Sequence, residues 1–164
     1  MAVVTERPTA RPPYEAYATI MGVYAGGLAL TGGLARLLGR DAREHTWLDL
    51  VALAAATFKT ARTIARDEVT SFMREPFVEG YAHEGEDERP LQTGGMEQAI
   101  GELVTCSRCV GTWTAAGLAS AQVLAPRFGR LLTWALAGAG LNDLMQAGFA
   151  ALTHKANELE QRSG

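Results

Sequence analysis

Two cysteines three positions apart carry the most distinctive chemistry in this sequence. Cys106 and Cys109 enclose Ser107 and Arg108, and they are the two cysteines of the chain. On a helix the two thiols would share one face, about one turn apart. A redox pair would need a thiolate stabilised by Arg108 and a helix N-terminus. A metal site would need about two further ligands, and a structural pair would simply pack against a neighbouring helix.

A single carboxylate interrupts the last apolar stretch of the chain. Asp143 follows Asn142 between the uncharged runs 131–142 and 144–154. An ionised side chain inside hydrocarbon is costly, so it normally pairs or faces a polar cavity. We expect a register-fixing ion pair with Lys59 or Arg62, and next with Arg108. A proton or ion relay is the alternative.

A basic stripe is predicted in the middle of the sequence. Arg62, Arg66, Thr70 and Arg74 follow one another at intervals of four, beside Asp67. On one extended helix they would share a face near the bilayer surface and could hold anionic lipid headgroups. The alternative is a solvated helix face that pairs locally with Asp67.

The elements that must position these residues are long uncharged segments. Residues 16–35 and 109–126 contain no charge, and Asp143 alone interrupts 131–154 apart from His154. About twenty apolar residues cross a hydrocarbon core of roughly 30 Å. The sequence therefore predicts an all-α integral membrane helical bundle of about four transmembrane helices, with a polar excursion between helices 2 and 3. A soluble Ala-rich bundle is the alternative, which a mean hydropathy near zero also fits.

The predicted boundaries follow from capping residues and prolines. The first helix covers 17–38, and the second begins after Thr46, with Asp49 completing a capping box, and continues to Met73. A helix from 96 leads without a break into the third span, 104–124, which Pro126 closes. Residues 127–130 then connect to a fourth span, 131–152. The domains are a flexible leader at 1–15, a membrane domain at 16–154 with a polar loop at 80–95, and a polar tail at 155–164.

Small residues at helical spacing predict close helix packing. The members of this set are Gly22, Gly26 and Gly33 in the first helix and Gly111, Ala115 and Ala119 in the third. Small residues four apart let two helix backbones approach closely in a membrane. They favour self-association.

The distribution of basic residues predicts the topology. Four spans place both termini and 59–102 on one side, with ten Lys and Arg residues there against five on the other. Positive residues favour the cytoplasm, so we expect both termini to lie in the cytoplasm. That compartment keeps thiols reduced, so we expect Cys106 and Cys109 to be reduced packing residues.

Two segments resemble the motifs of a bacterial domain-of-unknown-function family. Its members are small helical membrane proteins, some of them sporulation-associated. The segments are 59–77 and 101–113, and the second contains Cys-x-x-Cys-x-Gly-x-Trp. The matching positions are Arg62, Asp67, Thr70, Arg74, Glu102, Cys106, Cys109, Gly111 and Trp113. This chain has Ser107 where the family often has Pro, and Lys59 where Arg is common. The resemblance covers roughly 48–118 and implies a helical membrane protein with no known activity.

No recognisable catalytic set, cofactor motif or complete metal site appears in the sequence. The function expected is therefore a non-enzymatic membrane protein that self-associates or acts as an accessory subunit of a membrane complex. The alternatives are an oligomeric ion or solute pathway lined by Asp143, and a membrane thiol-redox or metal-binding protein that uses Cys106 and Cys109. The expected partners are the lipid bilayer, anionic headgroups, and a second copy or another membrane protein. Nucleic acid is not expected, because the net charge is −3 and no long basic tract occurs.

Overall fold

The structure is a computed structural model, and it describes residues 11–40, 46–80 and 88–163. Two 3₁₀ turns, Glu68–Thr70 and Glu75–Phe77, lie on either side of a short helix, Ser71–Arg74. Strand β1 (Val78–Glu79) pairs antiparallel with β2 (Arg89–Pro90). The described helices are α1 (Tyr14–Leu37), α2 (Trp47–Arg66), α3 (Ser71–Arg74), α4 (Met96–Thr105), α5 (Ser107–Leu124) and α6 (Pro126–Ser163). The predicted all-α class is confirmed.

Local sequence signals set several helix ends. Thr46 Oγ1 accepts a hydrogen bond from the Asp49 amide at 3.3 Å, and the Thr46 amide donates to Asp49 Oδ2 at 2.8 Å. The predicted capping box is therefore present. At the end of α1, Gly39 adopts a φ of +63°. The Gly39 and Arg40 amides reach back to the carbonyls of Arg36 and Ala35, a C-terminal closure that needs the left-handed conformation glycine tolerates.

The four long helices alternate in direction. Along α1 and α5 the contacts advance together, from the Tyr24–Trp113 ring pair to a hydrogen bond between Thr31 and Ser120. These two helices are therefore parallel. Helices α5 and α6 follow each other through a tight turn, and Gln122 Nε2 donates to Thr133 Oγ1 at 2.8 Å, so α6 runs back along α5.

Helix α2 lies parallel to α6, because Gly140 faces Ala55 and Asp143 faces Lys59. The order of the long helices is therefore up, down, up, down. One end of the bundle, which we call the cysteine end, gathers the N-terminus of α1, the C-terminus of α2 and the N-terminus of α5. The short connection from α5 to α6 favours antiparallel neighbours, whereas α3, the two strands and α4 lie between α2 and α5.

Small residues form the contact between α2, α5 and α6. One buried cluster contains Ala52, Ala56, Leu118 and Ala137, and a second contains Ala61, Ala65 and Val110. A Cβ on Gly140 would lie 2.7 Å from the Ala55 carbonyl oxygen. A Cβ on Gly129 would overlap the backbone of Ala121. These glycines allow backbones to approach more closely than any larger residue would permit.

Helix α1 presents a different surface. A Cβ added at Gly22, Gly26 or Gly33 would meet nothing within 4 Å, so these glycines make no close contact with another described element. Within the described residues, α1 is the one helix long and apolar enough by itself to cross a membrane, with a mean hydropathy of 1.4 over its apolar window. It lies near the N-terminus and is almost entirely unburied.

Two predicted continuous helices are interrupted. The expectation that the second helix runs to Met73 is wrong, because α2 ends at Arg66 and Asp67 has extended backbone angles. The expectation of one helix from 96 to 124 is also wrong. Cys106 has φ −95° and ψ 100° and separates α4 from α5. In both places a side chain, rather than a proline or glycine, closes or opens the helix.

Other boundaries differ in smaller ways. Residues 127–130, predicted as a connection, belong to α6, whose first residue is Pro126; proline tolerates this position because its missing N–H would be unpaired there. The tail from 155 continues as helix to Ser163. In the segment predicted as a polar loop, Arg89 and Pro90 form β2. Residues 81–87 and most of the leader, 1–10, lie outside the described residues.

Candidate functional site

Arg74 of α3 caps the C-terminal end of α2. Its guanidinium is completely buried and forms a two-pronged ion pair with Glu88, with Nε–Oε2 at 2.6 Å and Nη2–Oε1 at 3.1 Å. Its Nη1 donates to the carbonyls of Ile64, at 2.7 Å, and Asp67, at 3.1 Å, and to the Thr70 hydroxyl. The last carbonyls of a helix lack partners within the helix, and Arg74 supplies one.

The Thr70 hydroxyl completes this cap. It donates to the Thr63 carbonyl at 2.5 Å and lies 3.0 Å from the Asp67 carbonyl. Arg74 and Thr70 therefore serve the exit of α2. The predicted stripe of Arg62, Arg66, Thr70 and Arg74 on one helix face is wrong, because α2 ends before Thr70 and Arg74 points inward.

Asp143 pairs with Lys59, which is one of its predicted partners. Lys59 Nζ lies 2.8 Å from Asp143 Oδ2. Both side chains are partly accessible, at 25% and 34%. The pair links α2 to α6 one turn beyond the close approach at Gly140. Asn142 lies exposed on α6 and takes no part in it.

Glu102 joins α1 to α4. The Tyr17 hydroxyl donates to one carboxylate oxygen of Glu102, and Gln98 Nε2 donates to the other at 2.9 Å. Gln98 is buried, and its own oxygen accepts from the Gly94 amide at 2.9 Å. Every polar group in this chain of contacts has a partner, so the arrangement attaches the start of α1 to α4.

The two cysteines lie at the break between α4 and α5. Cys106 precedes α5, and its sulfur accepts a hydrogen bond from the Cys109 amide at 3.3 Å. The two sulfurs are joined in a disulfide, so the expected reduced state is wrong in this structure. Cys109 is exposed and Cys106 is half-buried. Within the described residues, no three His, Cys, Asp or Glu side chains are gathered closely enough to hold a metal ion.

A cleft of about 360 Å³ opens beside the cysteines, between α2 and the first turns of α5. We call it the basic cleft. Its lining includes Thr57, Phe58, Arg62, Arg66, Arg108 and Gly111. Gly111 faces α2 here, and a Cβ on it would make an ordinary contact with Ala61 Cβ at 3.7 Å. Trp113, two residues further on, stacks edge-on against Tyr24 of α1 at 5.2 Å.

The small residues predicted to pack are divided between two environments. Gly111 contacts α2, and Ala119 lines a groove with Asp49 and Leu53 of that helix. Ala115 is half-buried on α5. Gly22, Gly26 and Gly33 have no neighbour within the described chain.

Sequence reasoning missed several residues that organise this region. Glu88 ends an acidic run, and nothing in its local sequence distinguishes it from its neighbours. Gln98, Gly101 and Gly140 sit in ordinary helical positions. A Cβ on Gly101 would overlap the Phe77 carbonyl oxygen, and only the tertiary fold brings that carbonyl there. The one available signal was Gly101 itself, which begins the second motif.

Residues 52–149 match a family described as "Protein of unknown function (DUF1360)". The match covers more than half of the chain. The chain belongs to this family. A curated relative, sporulation protein YjcA of Bacillus subtilis (strain 168), is 29% identical over 109 residues, which cover 60% of this chain and 88% of that protein. No solved structure matches.

The DUF1360 region contains most of the site but not all of it. It includes the Arg74 cap, the disulfide, the basic cleft and the Lys59–Asp143 pair. It begins within α2, so α1 and its contact from Tyr17 to Glu102 extend beyond it. The predicted relation to a bacterial family of unknown function, with a sporulation-named relative, is confirmed.

Proposed function

We propose that this chain is a non-enzymatic integral membrane protein that self-associates or supports a larger membrane complex. The observation that carries the proposal is the apolar outer surface of the bundle. Large side chains such as Leu30, Leu141 and Phe149 are 64%, 53% and 73% exposed. Leu144 and Leu152 of α6 are also exposed, and soluble monomers rarely expose a contiguous apolar surface. Lipid, or lipid together with another subunit, would cover them.

The three helices other than α1 are less apolar, and two features support placing them in the membrane as well. Threonine hydroxyls donate to carbonyls one turn back, as in Thr60 to Ala56 and Thr153 to Phe149, which satisfies their polar groups within the helix. The Lys59–Asp143 pair partly neutralises two charges that would otherwise be costly. Four spans remain part of the proposal.

The orientation proposed is the bacterial inner membrane with both termini cytoplasmic. In a four-span arrangement the side of the cysteine end holds ten Lys and Arg residues and the opposite side five. Positive residues favour the cytoplasmic side. The sporulation role in the relative's name belongs to that protein, and we extend only its bacterial setting to this chain.

The proposal is tested by extraction and by mass. Carbonate treatment should leave the protein in the membrane pellet, and a mass measurement in mild detergent should give more than one chain per particle. Replacement of Gly26 by Leu should shift this particle toward one chain if the open face of α1 is the contact. Gly138→Leu is the matched control, because Gly138 is also open but lies on α6. Release by carbonate would contradict membrane integration.

Thiol–disulfide exchange is a second candidate, favoured by the exposed Cys109 sulfur beside a helix N-terminus. In this reaction a thiolate of an external dithiol attacks the Cys109 sulfur and the Cys106–Cys109 bond breaks. Cys106 leaves as a thiolate and takes a proton. The second external thiol then releases Cys109 as a thiol, so the external dithiol becomes a disulfide. The helix N-terminus stabilises the Cys106 thiolate.

A redox titration distinguishes the two candidates. The protein is equilibrated with defined ratios of reduced and oxidised dithiothreitol, and free thiols are then counted by alkylation and mass spectrometry. Exchange predicts a reversible two-electron transition within the range of cellular dithiols. A disulfide that stays intact in native protein across the whole range would contradict this candidate. The ion-pathway alternative gains no support, because Asp143 is paired with Lys59.

A further inference from the structure

We propose that the basic cleft binds a phosphate-class anion, either free phosphate or the headgroup of an anionic lipid. In its lipid form the inference rests on the proposed membrane location. In its free-phosphate form it does not.

Three arginines from two helices line this cleft. Arg62 and Arg66 come from the last turns of α2, and Arg108 from the first turn of α5. None of them has an ion-pair partner in the part of the chain that the structure describes, and no acidic residue lines the cleft. Arg74, only a few residues along the chain, is fully neutralised by Glu88. Unpaired arginines converging on one cleft favour a bound anion, because guanidinium forms paired hydrogen bonds with phosphate.

Helix α5 adds to the positive potential. The helix has 18 residues, and Ser107 of its first turn lines the cleft with Arg108. Free amides and the helix dipole make such an N-terminus attractive to anions. Because α4 and α5 are separated at Cys106, α5 has a new N-terminus at this level, which a continuous helix would lack.

The lining of the cleft combines Thr57 with apolar surface. The Thr57 hydroxyl is buried and has no hydrogen-bond partner among the described residues, although buried polar atoms normally have one. Phe58 and Gly111 form apolar parts of the lining. A volume of about 360 Å³ lies within the range of small-molecule sites. A polar atom beside apolar surface suits a phosphate that carries a glycerol group better than it suits a bare ion.

The level of the cleft also suits a headgroup. Gly111 lies two residues from Trp113, which contacts Tyr24 in the first half of α1. The arginines therefore lie near the level at which the apolar run of α1 begins. Aromatic side chains and arginines commonly mark this interfacial depth.

The test compares two triple variants of equal charge. Arg62, Arg66 and Arg108 are replaced by Gln in one, and Arg36, Arg127 and Arg130, at the other end of the bundle, are replaced by Gln in the control. Native mass spectrometry of the full chain in detergent measures retention of phosphatidylglycerol against phosphatidylcholine. Calorimetric titration with inorganic phosphate measures free-anion binding. Thermal unfolding shows that each variant is folded.

The wild type and the control should bind the anion, and the cleft variant should bind it at least about tenfold more weakly. Retention of phosphatidylglycerol without phosphate binding would identify the headgroup as the ligand, and binding of both would identify free phosphate as sufficient. Equal losses in both triple variants would overturn the proposal, since binding would then reflect overall charge. Absence of binding in both assays would also overturn it. If the cleft variant fails to fold, Arg108→Gln alone is compared with Arg127→Gln under the same criteria. Failure here with the protein still resistant to carbonate would leave the membrane proposal intact.

Discussion

Helices α2, α5 and α6 are held together differently from α1. The three-helix unit packs backbone against backbone through buried alanines and the glycines Gly129 and Gly140. Helix α1 is attached along one side by individual side chains. These are the Tyr17–Glu102 and Thr31–Ser120 hydrogen bonds, the Tyr24–Trp113 ring pair, and Arg40 on the carbonyls that end α5.

The difference predicts that substitution is costly at one set of glycines and tolerated at the other. Small residues within the three-helix unit pack against each other, whereas the glycines of α1 have open space beside them. The DUF1360 match covers most of the three-helix unit and none of α1. The unit is therefore the structural core, and α1 presents an open apolar surface.

The largest expected effect comes from Arg74, which belongs to the core unit. Arg74→Met would leave Glu88 buried without its partner and the end of α2 without its cap. Removing one member of a buried pair costs about 3–5 kcal/mol. Thermal unfolding in detergent should show a large loss of stability.

The double variant Arg74→Met/Glu88→Leu is the control for the unpaired charge. It should recover part of the loss but not the cap on the Ile64 and Asp67 carbonyls. If Arg74→Met alone leaves the unfolding temperature unchanged, the buried cap is not a stabilising element.

Matched glycine substitutions sharpen the comparison. Gly140→Ala should destabilise the protein, because its Cβ would lie 2.7 Å from the Ala55 carbonyl and overpacking costs about 1–3 kcal/mol. Gly22→Ala places a Cβ in open space and should be neutral or stabilising by up to about 1 kcal/mol, since alanine favours the helix. Unfolding temperatures in detergent report both. Equal effects at the two positions would mean that the contrast between core and α1 does not hold.

The smallest expected effect comes from the ion pair between α2 and α6. Lys59 and Asp143 are partly accessible, and coupling energies of such pairs are typically below about 1 kcal/mol. A double-mutant cycle with Lys59→Met and Asp143→Leu should give a small favourable coupling. A neutral Asp143→Asn variant with altered ion flux in liposomes would contradict the structural role and revive the conduction hypothesis.

The sequence predicted the long helices and failed where distant side chains decide. Thr46 and Asp49 are three residues apart, so their capping box is visible in the sequence. The end of α2 is set by Arg74 and Glu88, which lie beyond the helix and have no local signature. The apolar and basic periodicity of the sequence continues past Arg66, and so the predicted helix was too long. The pairing of Lys59 with Asp143 was predictable because the cost of an isolated charge limited the choice of partner.

The break at Cys106 illustrates the same limit. Nothing between 96 and 124 disfavours a helix strongly, and the interruption depends on Gly101 packing against the Phe77 carbonyl and on the cysteine sulfur taking the N-cap position. Both depend on the three-dimensional fold. The sequence predicted that Arg62 and Arg66 share a face, but it did not predict that Arg108 joins them from a different helix.

The most direct test of the central claim is whether α1 is exposed to lipid. A nitroxide is attached at Leu30→Cys in a Cys106→Ala/Cys109→Ala background, and the protein is reconstituted in bilayers. Its relaxation is then measured with oxygen, which partitions into lipid, and with a water-soluble nickel chelate. The account predicts high accessibility to oxygen and low accessibility to the chelate. High accessibility to the chelate would show that α1 lies in water and would contradict the membrane assignment.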